Sequence, residues 1–481
     1  MLDFSVAEIA QIVGGRLNEQ AEAIAEARVT APAEFDSRKL QPGSLFIALP
    51  GENVDGHDFA ASAIEAGAVC VLAAHDVDAP AVLCPPATGE TTGLGLEHPD
   101  AQAVIQGLSR LARGLVDRCE QLTVVGVTGS AGKTSTKDII ASVLEQAGPT
   151  VAPPGSFNNE LGMPYTVLRC DAQTQFLVAE MSARGIGHIA KLTQIAPPRI
   201  SVVLNVGSAH LGEFGSRENI AIAKGELVEA LPDDGVAVLN FDDDAVRAMA
   251  ERTNARCVFY STQSSQADVY ATDIVLDEVA RPSFVLHAGG VEVPVRLQVF
   301  GEHQVSNALA AAAAGLQAGL TLEQVATGLN AHVARSGRRM EVTTRPDGVT
   351  IINDSYNSNP HSVRAGLAAL AYTASAREDA RSWAVLGQMG ELGDDAEAEH
   401  ADIVATLQQL HIDRVVAVGD NPNMRALVDA ATAAGVWVRA VPDAQAAAQT
   451  VTADIESRDV ILVKASRSEA LWSVADIVAA G

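Results

Sequence analysis

With 481 residues the chain exceeds one ordinary core, and its 48% apolar against 19% charged residues supply several buried ones, which excludes global disorder. The 60 acidic against 33 basic side chains leave a formal charge of -27, a field that repels polyanions and sets nucleic acid aside as a partner. Five cysteines (Cys70, Cys84, Cys119, Cys170, Cys257) are scattered without C-x-x-C spacing, so neither a disulfide framework nor a zinc site is expected and a reducing cytoplasm fits best.

The opening "MLDFSVAEIAQIVGG" carries Asp3 and Glu8 where an export signal carries positive charge, and Ser5-x-x-Glu8 reads instead as a capping box that starts a short helix. Residues 84–100, "CPPATGETTGLGLEHPD", are rich in Pro, Gly and Thr without periodicity and mark a first domain boundary near residue 98. Short β-branched runs then break repeatedly into polar stretches followed by helical patterns: "LTVVGVT", "QFLVAE", "RISVVLNV", "GVAVLN", and later "VTIIND", "SWAVLG", "DRVVAVG" and "DVILVKA". That alternation predicts an α/β protein built on largely parallel sheets, with ligands gathering beyond the carboxyl ends of the strands. Between residues 260 and 300 the pattern becomes strictly alternating, which predicts an antiparallel appendage. The stretch "ALAAAAAGLQAGL" (308–320) is too short and too weakly apolar to cross a bilayer, so no membrane insertion is expected. A capping box at Thr321-x-x-Gln324 opens a helix, and "NAHVARSGRRMEV" (330–342) forms the second seam, near residue 335.

The chemistry concentrates in "TVVGVTGSAGKTSTKD" (123–138). A strict phosphate-binding loop would place a glycine at position 127, where Val127 stands, with glycines instead at 126 and 129. The stretch still works as an anion site: Gly129, Ser130, Ala131 and Gly132 form the turn, Lys133 adds a mobile cation, Thr134 offers a hydroxyl to Mg²⁺, and Ser135 follows at the positive end of a helix from about residue 134. The apolar run "FLVAE" delivers Glu180 to a strand end, where a metal-holding acid belongs. Taken singly, Glu180 is equally a helix cap, His210 in "NVGSAHLGEFGS" equally a packed histidine, and Lys224 in "IAIAKGEL" equally a side chain snorkelling from an apolar face.

Together, "TGSAGKTSTKD", "SFNNELGMP", "AEMSARGIGHI", "NVGSAHLGEFGS" and "AKGEL" resemble the Mur ligase family, whose loop has the form G-x-x-G-K-T/S. The resemblance runs from about residue 36 to 470. It implies three domains: a smaller N-terminal α/β domain for the uridine nucleotide (1–98), a central P-loop-type ATP domain (99–335) and a Rossmann-like C-terminal α/β domain (336–481). It further implies Ser37 and Arg38 at the uridine nucleotide, and Asn158 and Asn159 facing substrate, although adjacent amides also make turns. Lys133 is placed on the phosphates of ATP, with Thr134 and Glu180 around one Mg²⁺ and His210 near a second. Lys224 matches a lysine carbamylated in relatives, which would supply an anionic oxygen ligand.

His303 and Asn307, one helical turn apart, match a phrase beside the adenine, with Gln304 in place of the usual first Asn. Arg339, with Arg338 in reserve, matches an arginine that reaches toward phosphate, and Asp354 matches a ribose ligand. Tyr356 lies close by, Asn357 and Asn359 are assigned to the incoming dipeptide, and Lys464, Ser466 and Arg467 match a phrase near the cleft; "LGQMGELG" (386–393) and His400 are equally packing elements.

The phrases "FNNELGMP" and "DSYNSNP" point to the branch that joins D-alanyl-D-alanine to UDP-N-acetylmuramoyl-tripeptide at the expense of ATP, with domain closure assembling the cleft in a monomer. Siblings adding the third residue, or glutamate to folate, are the near alternative. A nucleotide switch or scaffold without turnover is the distant one.

Overall fold

A computed structural model describes residues 3–51, 54–89, 98–207 and 211–481. The chain divides into two compact units, one formed by Met1–Gly126, Gly148–Ser182 and His188–Arg199, the other by Val127–Ala147, Ala183–Gly187 and Ile200–Gly481.

In the first unit Ser5 and Glu8 exchange the expected reciprocal bonds, 3.1 and 2.7 Å, and start the helix Val6–Val13, which buries Val6, Ile9 and Val13. A five-stranded sheet follows, in the order Arg16–Leu17, Ala81–Leu83, Ala68–Ala73, Ser44–Ile47, Ala33–Glu34, parallel except for its first pair. Past the boundary stretch, Pro99 opens the helix Pro99–Arg118 and buries Val104, Leu108, Leu111 and Leu115 on one face. The strand Phe176–Glu180 is buried along its whole length and pairs parallel with Thr150–Val151. Glu34 accepts from the Tyr165 hydroxyl (2.8 Å) and from Arg169 (2.9 Å), whose guanidinium lies 3.6 Å over the Tyr165 ring. This network ties the last strand of the small sheet to the helix Gly162–Val167.

In the second unit the strands Ile200–Val203, Val236–Asn240, Arg256–Ser261 and Val269–Leu276 pair in parallel, and Pro282–Ala288 and Val291–Arg296 continue the same sheet antiparallel, as the alternation predicts. The alanine-rich stretch is the helix His303–Gln317, with Ala308 through Ala314 fully buried. Its small side chains permit close packing on the loop helix Lys133–Leu144: a Cβ on Gly315 would lie 2.6 Å from Val143, and one on Gly328, in the next helix Leu322–Ala331, 2.7 Å from the same residue's backbone. Thr321 and Gln324 form the predicted capping box of that helix.

The remaining sheet runs Glu341–Thr344, Thr350–Asn353, Val460–Lys464, Ser382–Leu386, Arg414–Val418, Val438–Val441, parallel apart from its first, antiparallel edge pair. Alternate residues feed two cores: Ala384, Leu386, Val460 and Leu462 pack on one face, Trp383, Val385, Ile461 and Val463 on the other, which is why these strands read as continuous apolar runs. Residues 90–97 of the first expected seam lie outside the described residues. In the second, His332 and Arg335 return to the loop helix: the His332 Nδ1 and Ser142 Oγ lie 2.8 Å apart, and Arg335 forms a bidentate pair with Glu145 at 2.6 Å.

His332 is buried, and burial pushes its imidazole down to about 4, so the folded protein holds it neutral. Between pH 6.5 and 4 the unfolded chain takes up a proton that the folded chain refuses, so this contribution is complete above the unfolded value and is lost as pH falls, up to about 3 kcal/mol. Denaturant titrations of the native protein and His332→Asn at pH 7 and pH 4.5 are expected to show the stability gap narrowing at the lower pH.

Candidate functional site

The strand Thr123–Thr128 ends in the loop Gly129–Gly132, and the loop helix begins at Lys133. Gly132 adopts φ +81°, a left-handed conformation that costs an L residue about 1–2 kcal/mol, and a Cβ there would also lie 2.8 Å from the Asn307 Oδ1. The loop is held by Asn205 at the tip of the strand Ile200–Val203. The Asn205 carbonyl accepts from the Ser130 N–H (3.1 Å), its Oδ1 accepts from the Ala131 N–H (2.9 Å), and its Nδ2 donates to the Ala131 carbonyl (3.2 Å). Two of the loop's amides, those of Ser130 and Ala131, thus serve the loop's own fold. The Ser130 Oγ accepts from the Gly207 N–H (2.9 Å), and Thr134 is buried at the first turn, with Ser135 half-buried beside it. The Lys133 ammonium donates to the Gly129 carbonyl at 2.8 Å, folded over its own loop.

Lys224 is no snorkelling side chain. On the helix Arg217–Glu229, opened by Ser216 as N-cap, it is 2% exposed, and burial holds its amine well below the usual lysine range, with the charge of Lys133 acting in the same sense. An amine so lowered is easier to deprotonate, which makes Lys224 a candidate for modification. His210 lies outside the described residues.

His303 and Asn307 share the first turns of the helix that packs on the loop helix. Gln304 accepts from the Asn307 Nδ2 at 2.9 Å, which fixes the Asn307 amide with its Oδ1 toward Gly132. Burial pushes His303 down to about 4, with Asp354 opposing and His361 and Lys464 reinforcing that shift. Beside His303 a cavity of about 340 Å³ is lined by Ile274, Leu276, Val305, Ala365, Ala369 and Tyr372.

A second cluster gathers the C-terminal candidates. Lys464, 1% exposed, donates to the Asp354 Oδ2 (2.6 Å) and the Asn357 carbonyl (3.0 Å), and the Asp354 Oδ1 accepts from the Met340 N–H (3.2 Å). Arg338 and Arg339 separate: Arg338 lies 4.0 Å over the Trp472 ring, Arg339 4.3 Å over Tyr356, and Arg467 reaches the same Tyr356 ring at 5.7 Å. Asn357 is exposed, whereas the Asn359 side chain caps the helix Pro360–Ser375 by accepting from the Ser362 N–H at 2.9 Å. Ser466 is buried, and its N–H donates to the Gln388 carbonyl. His400 has both ring nitrogens engaged, by the Met389 N–H (2.8 Å) and the Ala396 carbonyl (2.6 Å), and thus braces "LGQMGELG" from beneath.

In the first unit Glu180 is buried and accepts from the Asn158 Nδ2 at 2.7 Å, while the Asn159 Oδ1 accepts from the Leu161 and Gly162 N–H groups and shapes the turn into the helix Gly162–Val167. The paired asparagines therefore divide between a carboxylate and a turn. Ser37 and Arg38 occupy a single 3-10 turn, where Arg38 is largely exposed and paired with Asp36, a contact that holds the Asp36 carboxyl down at about 2. Also in this unit Asp55, His57 and His75 approach one another, but the His57 Nδ1 faces Asp55 (2.7 Å) and its Nε2 accepts from the Ala74 N–H (3.0 Å), so neither nitrogen is free for a metal.

Three segments match family profiles: residues 34–110 the Mur ligase family catalytic domain, 127–315 the Mur ligase middle domain, and 338–467 the Mur ligase glutamate ligase domain. A curated relative from Mycobacterium bovis, UDP-N-acetylmuramoyl-tripeptide–D-alanyl-D-alanine ligase, is 49% identical over 100% of this chain and 98% of its own length. The chain belongs to the Mur ligase family. Among solved structures, MurF from Acinetobacter baumannii superposes on this Mur ligase with a TM-score of 0.85 at 28% identity, covering 100% of this chain and 99% of that one. MurF from Thermotoga maritima, solved in complex with ADP, gives 0.76 at 27% identity over 94% and 98%.

Sequence reading gave this Mur ligase's loop no partner, yet Asn205 clamps it; the available signal was a short polar residue two positions past a buried strand and two before a glycine. It also passed over Lys137 and Asp138, a buried ion pair at 2.6 Å in the loop helix. Replacing Gly132 by Ala is expected to weaken ATP binding at least ten-fold while lowering stability by about 1–2 kcal/mol, read by calorimetric titration with a non-hydrolysable ATP analogue and by thermal unfolding.

Proposed function

We propose that the protein is an ATP-dependent ligase that joins D-alanyl-D-alanine to UDP-N-acetylmuramoyl-tripeptide through an acyl phosphate. The observation that carries this reading is the end-to-end match at 49% identity to a relative bearing that activity in its name, supported by the ADP complex of the Thermotoga neighbour. Five free cysteines among the described residues, and no helix there long and apolar enough to cross a membrane, support a cytoplasmic setting. Three successive profile matches, over residues 34–110, 127–315 and 338–467, support a division into uridine-nucleotide, ATP and C-terminal domains, with boundaries taken near residues 98 and 335 and the protein taken as a monomer.

A carboxylate does not yield to an amine until its oxygen becomes a leaving group. The tripeptide carboxylate therefore attacks the γ-phosphorus and releases ADP, the dipeptide amine adds to the acyl carbon, and phosphate departs as the proton leaves nitrogen. Lys133 exchanges the Gly129 carbonyl for the β- and γ-phosphates, while Arg339 takes up charge on the transferring group. His303 and Asn307 flank the adenine, for which the cavity beside His303, lined by Thr262, Glu302 and Ser306 as well as by apolar side chains, offers room, and the Asp354 carboxylate, steadied by Lys464, accepts the ribose hydroxyls. Ser37 and Arg38 meet the uridine nucleotide, Asn158 and Asn159 the tripeptide substrate, and Asn357, Asn359, Ser466 and Arg467 the substrate and dipeptide.

By their chemistry the Thr134 hydroxyl, the Glu180 carboxylate, the His210 imidazole and a carbamate on Lys224 are each suited to ligate Mg²⁺, and two such ions would be held by them. Bound there, the ions would neutralise phosphate charge. The buried Lys224 amine, held well below the usual lysine range, is suited to lose a proton and take up CO₂, becoming a carbamate anion and releasing a second proton.

Incubation with ATP, Mg²⁺, the tripeptide nucleotide and D-alanyl-D-alanine is expected to give the pentapeptide nucleotide, ADP and phosphate in equal amounts by mass spectrometry. ATP consumption without a new amide, or with glutamate and folate as the acceptor pair, overturns the reading. Lys224→Ala is expected to cut kcat about a hundred-fold or more, with partial rescue by a short carboxylic acid. Undiminished turnover in that variant removes the carbamate.

A further inference from the structure

Tyr356 has so far no task. It follows the strand Thr350–Asn353 at half-burial, and its backbone N–H donates to the Arg338 carbonyl at 3.2 Å. Two guanidinium groups that arrive from different ends of the C-terminal sheet, Arg339 before its edge strand and Arg467 after its central strand, lie over this one ring at 4.3 and 5.7 Å. Like charges do not gather without cause. An aromatic face attracts a cation through its quadrupole, and two cations within reach of one ring are held at a spacing that their mutual repulsion alone would widen.

The backbone shows the same selection. Arg338 and Met340, the neighbours of Arg339 on either side, both adopt left-handed conformations, φ +61° and +50°, which non-glycine residues visit only when surrounding contacts enforce them. Those contacts are the Tyr356–Arg338 bond, the Met340 bond to Asp354 and the seat of Arg338 on Trp472. A turn kinked twice around Arg339 aims that side chain at Tyr356.

We propose that Tyr356 is a positioning residue: its ring holds Arg339 and Arg467 as a spaced pair of cations that together receive the phosphate charge of ATP and of the acyl phosphate formed from it. The ring pre-assembles the pair before nucleotide arrives, so less side-chain ordering is charged to the binding step. A ring suffices for this task, and the hydroxyl plays no part. The proposal rests on the ligase reading above.

The test compares Tyr356→Phe and Tyr356→Leu in the full-length protein. Tyr356→Phe is expected to keep kcat and the KM for ATP within about two-fold, because the face is retained. Tyr356→Leu is expected to raise the KM for ATP about ten-fold, the equivalent of losing one to two cation–π contacts. In an Arg339→Ala, Arg467→Ala background the Leu substitution is expected to add nothing, since the groups it acts through are gone. Equal damage by Phe and Leu overturns the proposal, as does a Leu penalty that persists undiminished in the arginine-free background. Loss of folding in Tyr356→Leu, seen by thermal unfolding, moves the comparison to Tyr356→Met and Tyr356→His: the proposal requires His to retain the lower KM. A wild-type protein that forms no amide at all counts against the ligase reading instead, and calorimetric binding of a non-hydrolysable ATP analogue to the same variants then decides the role of Tyr356 by itself.

Discussion

The grip of one carboxamide on one loop underlies the nucleotide-facing half of the second unit. Asn205 meets the loop with its own carbonyl and both ends of its side chain, and a loop so fixed can carry the left-handed Gly132 into the loop helix. Where Lys133 starts, where the Thr134 hydroxyl sits and how near Asn307 approaches are consequences of that turn. The alanines of the helix His303–Gln317 and the glycines at 315 and 328 belong to the same constraint, since larger side chains there would push the neighbouring helices off Val143.

Electrostatically the molecule works against its own average. A chain with net charge -27 concentrates Lys133, Lys224, Lys464, Arg339 and Arg467 in its second unit, and treats each differently. Lys464 is paired with Asp354, Lys133 rests on a carbonyl, Arg339 and Arg467 lie over one aromatic ring, and burial holds Lys224 well below the usual lysine range. The proposed roles of Lys224 as a carbamate and of Tyr356 as a spacer both follow from these arrangements.

Much of this was legible in residue order because its causes are local. The capping boxes at Ser5 and Thr321, the βα alternation, the antiparallel turn of the chain after residue 260 and the glycine-framed loop before Lys133 each depend on neighbours within a few positions. The family followed from several such phrases in series. What could not be read was the burden carried by single polar residues: Asn159 and Asn359 spend their side chains on turn and cap, Asn158 spends its on Glu180, and both nitrogens of His400 are consumed inside the fold.

The sequence by itself determined the α/β class, the sheet-forming runs, the loop and the family, because periodicity, propensity and short motifs are properties of adjacent residues. Only the tertiary structure decided that Lys224 is sealed from water, that Asn205 clamps the loop, that Arg339 rather than Arg338 joins Arg467 on Tyr356, and that Asp354 is locked to Lys464. Burial and contacts across 74 or 110 positions of chain arise from packing many distant segments at once, and no window along the sequence contains both partners.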